Sequence, residues 1–305
     1  MLILDEAAVR KFLRLPALIP AMHQALRALS AGEVVQPVRV VVPIAEQGGF
    51  LFNMPAYTGA QLGAKLVTLF PNNQAIPTHH ALILLFQPTT GEPLAVMDGR
   101  LITEMRTAAV SAVATQALAR PEAAVLALLG AGVQAQSHLA ALKLVRQFRE
   151  IRVWSPRNAA AFADRFGVRL ARSAEEAVRG ADVVVVATTS RTPVLRGEWL
   201  SPGVHINAVG APRPDWRELD DDVLRRTRLY VDSREAAARE AGDVIAAGAI
   251  FAEIGEVLGG QKAGRQSAGE LTLFKSVGVA VADLASAGLV YREALAAGPQ
   301  PAGDG

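Results

Sequence analysis

The first stretch of the chain repeats its apolar positions at helical spacing. Leu18, Met22, Ala25, Leu26 and Leu29 share one side of a 3.6-residue period, and Gly32 stops the run, so residues 6–31 read as a helical region. The pattern then changes. Residues 38–42, 49–53, 63–70 and 81–86 are short β-rich or apolar runs punctuated by Pro, Gly and Asn, the signature of strands and turns. Residues 88–91 form a further turn and 94–97 another strand. An Ala- and Val-rich helix follows over 102–118.

Beyond Pro121, short strands alternate with short helices. Strands are expected at 125–129, 151–154, 182–187, 204–209 and 229–232, and helices at 134–147, 158–166 and 174–179. Such alternation predicts a parallel sheet with right-handed crossovers. The unbroken Val183 to Val186 is what a strand covered on both faces looks like. Residues 273–295 read as one helix packing back on the first domain, and 298–305 as a frayed Pro/Gly tail. The expected division is one domain of 1–118 plus 273–305 and a second of 119–272.

Chemistry enters at Leu129-Gly130-Ala131-Gly132-Val133-Gln134-Ala135, a GxGxxA directly after a strand and before a helix. Gly130 permits the tight turn. Gly132 lets backbone N–H groups approach a pyrophosphate at a helix N-terminus, and Ala135 lets the helix pack on the strand. The strand–turn–helix context makes this a dinucleotide fingerprint rather than a bare glycine turn. The fold class is therefore α/β: a Rossmann-type, doubly wound parallel sheet domain with a smaller α+β domain. The second strand ends in Val153-Trp154-Ser155-Pro156-Arg157, without the acid that would bond a ribose 2′-hydroxyl. Ser155 and Arg157 suit a 2′-phosphate instead, which favours NADPH and leaves NAD possible; the alternative is a solvated arginine at a helix start. Thr188-Thr189-Ser190, after the strand at 182–187, either lines the cofactor crevice or is a plain polar loop.

Composition narrows the function classes. The chain has 305 residues, 51% of them hydrophobic and 20% charged, which excludes wholesale disorder. Its net charge is only +2 and its basic residues are scattered, so there is no nucleic-acid footprint. The absence of cysteine excludes disulfides, thiol catalysis and Cys-based zinc sites. Five histidines without an HExxH pair argue against a zinc enzyme. No segment reaches the ~18 apolar residues of a membrane span. Asp5 and Glu6 stand where a signal peptide needs apolar residues, so the expected location is cytoplasmic.

Lysine occurs at only five of the 31 basic positions, and Lys65 lies in the otherwise apolar run 62–70. A buried ammonium costs several kcal/mol unless paired. An anionic substrate is one partner for it, and a desolvated lysine can shift toward acid/base work; an edge-strand lysine reaching for water is the alternative. Arg106, on a small-residue helix, and Arg39, on a strand, can each fork onto a carboxylate or form a structural ion pair.

These segments together resemble the ornithine cyclodeaminase/mu-crystallin family. The resemblance is carried by Asn53-Met-Pro-Ala-Tyr57, Ala64-Lys65-Leu-Val-Thr68, Ala95-Val-Met-Asp-Gly99, Arg106-Thr-Ala-Ala-Val-Ser-Ala112 and the GxGxxA run. It continues in Gly197-Glu-Trp199, His205-Ile-Asn-Ala-Val-Gly210, Arg213-Pro-Asp-Trp-Arg-Glu-Leu-Asp220, Tyr230-Val-Asp-Ser233 and Phe274-Lys-Ser-Val-Gly278. It implies a homodimer whose first domain binds substrate and dimerises. It also implies substrates that are amino acids or cyclic imino acids bearing a carboxylate. By the same likeness Arg39, Lys65 and Arg106 bind that carboxylate, with Lys65 also a candidate proton source, and Met54 lines the site. Val209 and the Ser276 to Gly278 segment lie near the nicotinamide. Two departures bear on the branch. Cyclodeaminases of the family carry Gly-x-Asp where this chain has Gly210-Ala211-Pro212, and a glutamate where it has Phe52. Both losses point to its ketimine-reductase branch, reducing Δ1-pyrroline-2-carboxylate or Δ1-piperideine-2-carboxylate to proline or pipecolate. An ornithine cyclodeaminase, an alanine-type dehydrogenase and a non-catalytic NADPH-binding protein stand as alternatives.

Overall fold

The computed structural model describes residues 1–298. The chain forms two compact units. The first comprises Met1–Ala25, Gly32–Arg106 and the chain from Val279 onward; the second comprises Leu26–Ala31 and Thr107–Gly278. The division thus falls inside the helix expected at 102–118 and after residue 278, rather than at 118/119 and 272/273.

In the first unit, β1 (Leu2–Leu4), β2 (Val40–Ile44), β3 (Gly49–Tyr57), β4 (Leu62–Leu69), β5 (His79–Phe86) and β6 (Pro93–Asp98) form one sheet, ordered β1-β6-β5-β4-β3-β2. Only the β1–β6 pair is parallel. The expected N-terminal helical region is two helices, α1 (Glu6–Phe12) and α2 (Leu15–Ser30), followed later by α3 (Arg100–Leu118). Asp5 starts α1 by accepting the Ala8 N–H at 2.8 Å, and Leu13 ends it in an extended conformation.

The second unit carries β7 (Val125–Leu129), β8 (Glu150–Trp154), β9 (Arg169–Leu170), β10 (Val183–Val186), β11 (His205–Ala208), β12 (Arg228–Val231), β13 (Ala252–Glu253) and β14 (Thr272–Lys275). They form one parallel sheet, ordered β13-β12-β14-β11-β10-β7-β8-β9. The helices are α4 (Val133–Leu142), α5 (Ala159–Phe166), α6 (Ala174–Val178), α7 (Asp221–Arg226), α8 (Arg234–Glu240), α9 (Gly242–Ala247) and α10 (Ile254–Leu258); α11 (Ala280–Ala296) belongs to the first unit. Every residue of β7, β10, β11 and β14 is buried, as the valine run suggested. The strand order reverses between β7 and β10, the switch point beside which doubly wound sheets bind ligands.

One expectation fails here. Residues 273–295 are not one helix: Thr272–Lys275 is a central strand between β11 and β12, and the helix begins at Ala280. Four buried residues running into an apolar helix give no change of period to read. The tail expected to fray at 298–305 lies, beyond Gly298, outside the described residues. Among the described residues no helix is long and apolar enough to cross a membrane.

Candidate functional site

Antiparallel register decides which side chains of the first unit share a face. Met54 on β3 opposes Lys65 on β4, which opposes Ile83 on β5, which opposes Met97 on β6. All four are buried, and α11 packs on β3, β4 and β5. Phe52 and Val67 lie two residues along on the same face by strand alternation.

The charge of Lys65 is met by Asp283 of α11. Lys65 Nζ lies 2.7 Å from Asp283 Oδ2, and Arg106 Nε on α3 donates to Asp283 Oδ1 at 2.8 Å. All three side chains are buried. Two cations thus share one carboxylate. Burial opposes the charge of Asp283, but Arg106 and Lys65 outweigh it and hold the carboxyl below its ordinary value. Burial pulls the Lys65 ammonium down to about 7, with Asp283 resisting and the Arg106 and Arg39 charges adding to the fall. His79, at the start of β5, is pushed down to about 4 by burial and by Lys65 and Arg106. Arg39 stands before β2 with its guanidinium 6.0 Å from the Phe52 ring centroid. Lys65, Arg106 and Met54 are therefore brought together, with Arg39 near enough to influence Lys65.

In the second unit, Gly130 and Gly132 follow β7. Gly130 has φ +114°, and a Cβ there would sit 2.3 Å from the Ala187 carbonyl oxygen, so only glycine fits. Its N–H is used by the Trp154 carbonyl at 2.9 Å. Gly132 is the N-cap of α4 and offers no side chain to the first-turn N–H groups of Val133, Gln134 and Ala135. A Cβ at Gly132 would meet nothing within 4 Å. An open glycine at an uncapped helix N-terminus beside the switch point fits a pyrophosphate. The Gln134 Oε1 atom is buried without a hydrogen-bond partner among the described residues. Ala135 is buried, as close helix–strand packing requires. Gly132→Ala is expected to leave the melting temperature within about 2 °C and to weaken dinucleotide binding at least tenfold. Calorimetric titration beside a thermal melt checks both.

The other residues expected to border the dinucleotide lie just after the carboxyl ends of strands. Ser155 is half-buried after β8, and Arg157 is exposed with no ion pair among the described residues. Thr188 follows β10 and gives its N–H (2.8 Å) and hydroxyl (2.6 Å) to Glu218 Oε1. Thr189 is exposed, and Ser190 donates to the Thr192 carbonyl at 2.6 Å. Val209 continues β11 through its N–H to the Val186 carbonyl. After β14, Ser276 Oγ (2.8 Å), Val277 N–H (3.0 Å) and Gly278 N–H (2.7 Å) all donate to Asp232 Oδ2, which fixes that loop.

The sequence reading missed the carboxylates. Asp283 is the only charged residue between Lys275 and Arg292, a lone acid in an apolar helix, and that was its one signal. Glu218, Asp232, Asp243 and Lys275 are equally buried and were not singled out. Asp220 caps α7, its side chain accepting the Val223 N–H at 2.8 Å.

The chain has close relatives. The model of the ornithine cyclodeaminase/mu-crystallin family matches residues 1–298. The ketimine reductase mu-crystallin of Mus musculus is 52% identical over 286 residues, 90% of this chain and 91% of its own length. The structure of Thermococcus litoralis Δ1-pyrroline-2-carboxylate reductase in complex with NADH and L-proline matches with a TM-score of 0.94 at 38% identity, covering 99% of this chain and 100% of that one. An archaeal alanine dehydrogenase dimer with bound NAD matches with a TM-score of 0.93 at 35% identity, covering 99% and 98%. The chain belongs to the ornithine cyclodeaminase/mu-crystallin family.

Proposed function

We propose that this protein reduces cyclic ketimine carboxylates, Δ1-pyrroline-2-carboxylate and Δ1-piperideine-2-carboxylate, to proline and pipecolate, with NADPH preferred over NADH. The observation that carries the proposal is the buried Lys65–Asp283–Arg106 cluster. Its two cations exceed its one carboxylate, so a substrate carboxylate completes the charge balance. Among the described residues the terminal nitrogens of Arg106 have no hydrogen-bond partner, and a guanidinium edge matches a carboxylate in geometry. The names of the mouse and Thermococcus relatives agree with this substrate class.

The dinucleotide would be held by the N–H groups at Gly132 to Ala135, by Ser155 and Arg157 at the ribose, and by Thr188 to Ser190, Val209 and Ser276 to Gly278 at its nicotinamide end. When bound, the reduced nicotinamide supplies a hydride to the C=N carbon. Arg106 and Arg39 orient the substrate carboxylate. Lys65 Nζ, titrating near neutrality, delivers a proton to the imine nitrogen directly or through a water, which makes the carbon a better hydride acceptor. Phe52 and Pro212 leave this chain without the two carboxylates that would handle the distal ammonium of ornithine. The test follows NADPH absorbance with each imine and ammonia release from ornithine with NAD. Turnover of the imines without ammonia is the expected result; ammonia and proline from ornithine with no imine turnover would overturn the assignment.

Arg157 is assigned to the 2′-phosphate of NADPH. Arg157→Ala should raise the KM for NADPH about tenfold and leave that for NADH within twofold, as initial rates against each cofactor will show. Equal effects on both would remove the assignment.

A homodimer goes with this function. On the sheet face opposite Lys65, Val40 (56% exposed), Leu66 (37%) and Leu82 (52%) lie in one cross-strand row with Asn53, and Val42 (48%) stands two residues along on the same face, exposed apolar side chains of the kind that self-association covers. The archaeal alanine dehydrogenase relative is itself a dimer. A Leu66→Glu/Leu82→Glu double variant is expected to sediment as a monomer, the parent chain as a dimer. We place the enzyme in the cytoplasm, where a reduced dinucleotide pool supports the reaction.

A further inference from the structure

A buried charge cluster in the second unit has no part in the chemistry above. Glu218, Asp243 and Lys275 are each fully buried, and they come from different segments of the chain. Lys275 Nζ lies 3.1 Å from Asp243 Oδ2 and 4.0 Å from Glu218 Oε2, and also donates to the Gly210 carbonyl. Asp243 Oδ1 accepts the N–H groups of Glu218 and Leu219, each at 3.1 Å. Glu218 Oε1 takes both the N–H and the hydroxyl of Thr188. Glu218 Oε2 has no hydrogen bond among the described residues, so its charge is balanced mainly by the lysine. Burial pushes the Glu218 carboxyl up to about 7, with Lys275 and the Thr188 bonds opposing.

Three buried ionisable groups are an expensive way to hold a fold together, because apolar residues of similar volume often stabilise as well or better. What this cluster does instead is local. It ties the end of β10, through Thr188, to the end of β11, through Gly210. The fit is tight: a Cβ at Gly210 would lie 2.4 Å from both Glu218 Oε1 and the Thr188 carbonyl oxygen. Both strand ends lie on the ligand-binding edge of a doubly wound sheet.

We propose that Glu218 is a positioning residue: its carboxylate, fixed by Asp243 and Lys275, holds the Thr188–Ser190 loop against Gly210 in the conformation that receives the dinucleotide. This rests on the functional reading above, in which that loop borders the cofactor. Glu218 touches no substrate and acts through Thr188. Preorganising a loop removes an ordering cost from binding, so its loss appears in cofactor affinity rather than in substrate affinity.

The test is a double-mutant cycle read by the dissociation constant for NADPH, measured by calorimetry, with thermal melts alongside. Glu218→Ala should weaken binding at least tenfold, and the conservative Glu218→Gln, which keeps one acceptor for Thr188, about three- to fivefold. Thr188→Val should weaken it to a similar extent. The Glu218→Gln/Thr188→Val double variant should bind no more than about twofold more weakly than the weaker single variant, and KM for the imine should be unchanged in Glu218→Gln. A merely structural glutamate would lower the melting temperature and leave the dissociation constant within twofold, which would overturn the proposal. So would additive effects in the double variant. A parent protein that binds neither NADPH nor NADH would overturn the functional reading, and this proposal with it. The Gln and Val variants decide the matter should the Ala variant not fold.

Discussion

Lys65→Met is expected to lower kcat/KM for imine reduction by about 10²–10³-fold, with the dissociation constant for NADPH unchanged within twofold. The substitution keeps an unbranched side chain opposite Met54 and Ile83 and removes only the ammonium. The effect is large because the lysine has two tasks, neutralising the substrate carboxylate and supplying a proton to the imine nitrogen. A pH signature separates these tasks. The folded lysine titrates at about 7, well below its ordinary 10.5, chiefly through burial. It is a proton donor only below that value, so kcat/KM of the parent enzyme should fall as pH rises through about 7. A bound carboxylate favours the ammonium, so the fall in kcat belongs at higher pH. Both limbs of lysine origin disappear in Lys65→Met. The same shift links to stability: between about 7 and 10.5 the unfolded lysine holds a proton that the folded one has lost, so this residue's contribution to stability rises with pH across that window.

Asp283→Asn is expected to be the most destabilising single change in the first unit, by about 3–5 kcal/mol, because it leaves two buried cations without their shared counter-charge. For a chain of this size that lowers the melting temperature by on the order of 10 °C. The loss is electrostatic rather than steric, since Asn has nearly the shape of Asp. A Lys65→Met/Asp283→Asn double variant, which removes one of the stranded charges, should therefore melt higher than Asp283→Asn alone. Differential scanning calorimetry of the set measures this directly; a double variant that melts lower would show that the cluster is not coupled in this way. With Asp283 gone, the main force holding the Lys65 proton in place is lost, so any activity left should fall with rising pH at a lower midpoint than in the parent enzyme.

The Rossmann-type half of the fold was legible because its signals are local. Val183 to Val186 declares a strand covered on both faces, and Gly130 and Gly132 declare a turn that only glycine can make, which the φ of +114° at Gly130 bears out. The expected strands at 125–129 and 151–154 lie within a residue of β7 and β8. What was not legible is long-range. Thr272–Lys275 is too short to show a period, and it becomes a strand because β11 and β12 accept it between them. Lys65 and Arg106 stood out as cations in apolar surroundings, but nothing local tied them to Asp283, 177 residues from Arg106 in sequence. The buried acids Glu218 and Asp243 look like any surface carboxylate until the sheet closes over them.

The central claim, that this chain delivers hydride to a cyclic imine carbon, is tested most directly by isotope transfer. NADPH deuterated at C4 of the nicotinamide, on either face in separate tubes, is incubated with Δ1-pyrroline-2-carboxylate and the product weighed by mass spectrometry. Proline one mass unit heavier from one labelled face, with the label at Cα, is the predicted result. Absence of labelled proline from both tubes would contradict it.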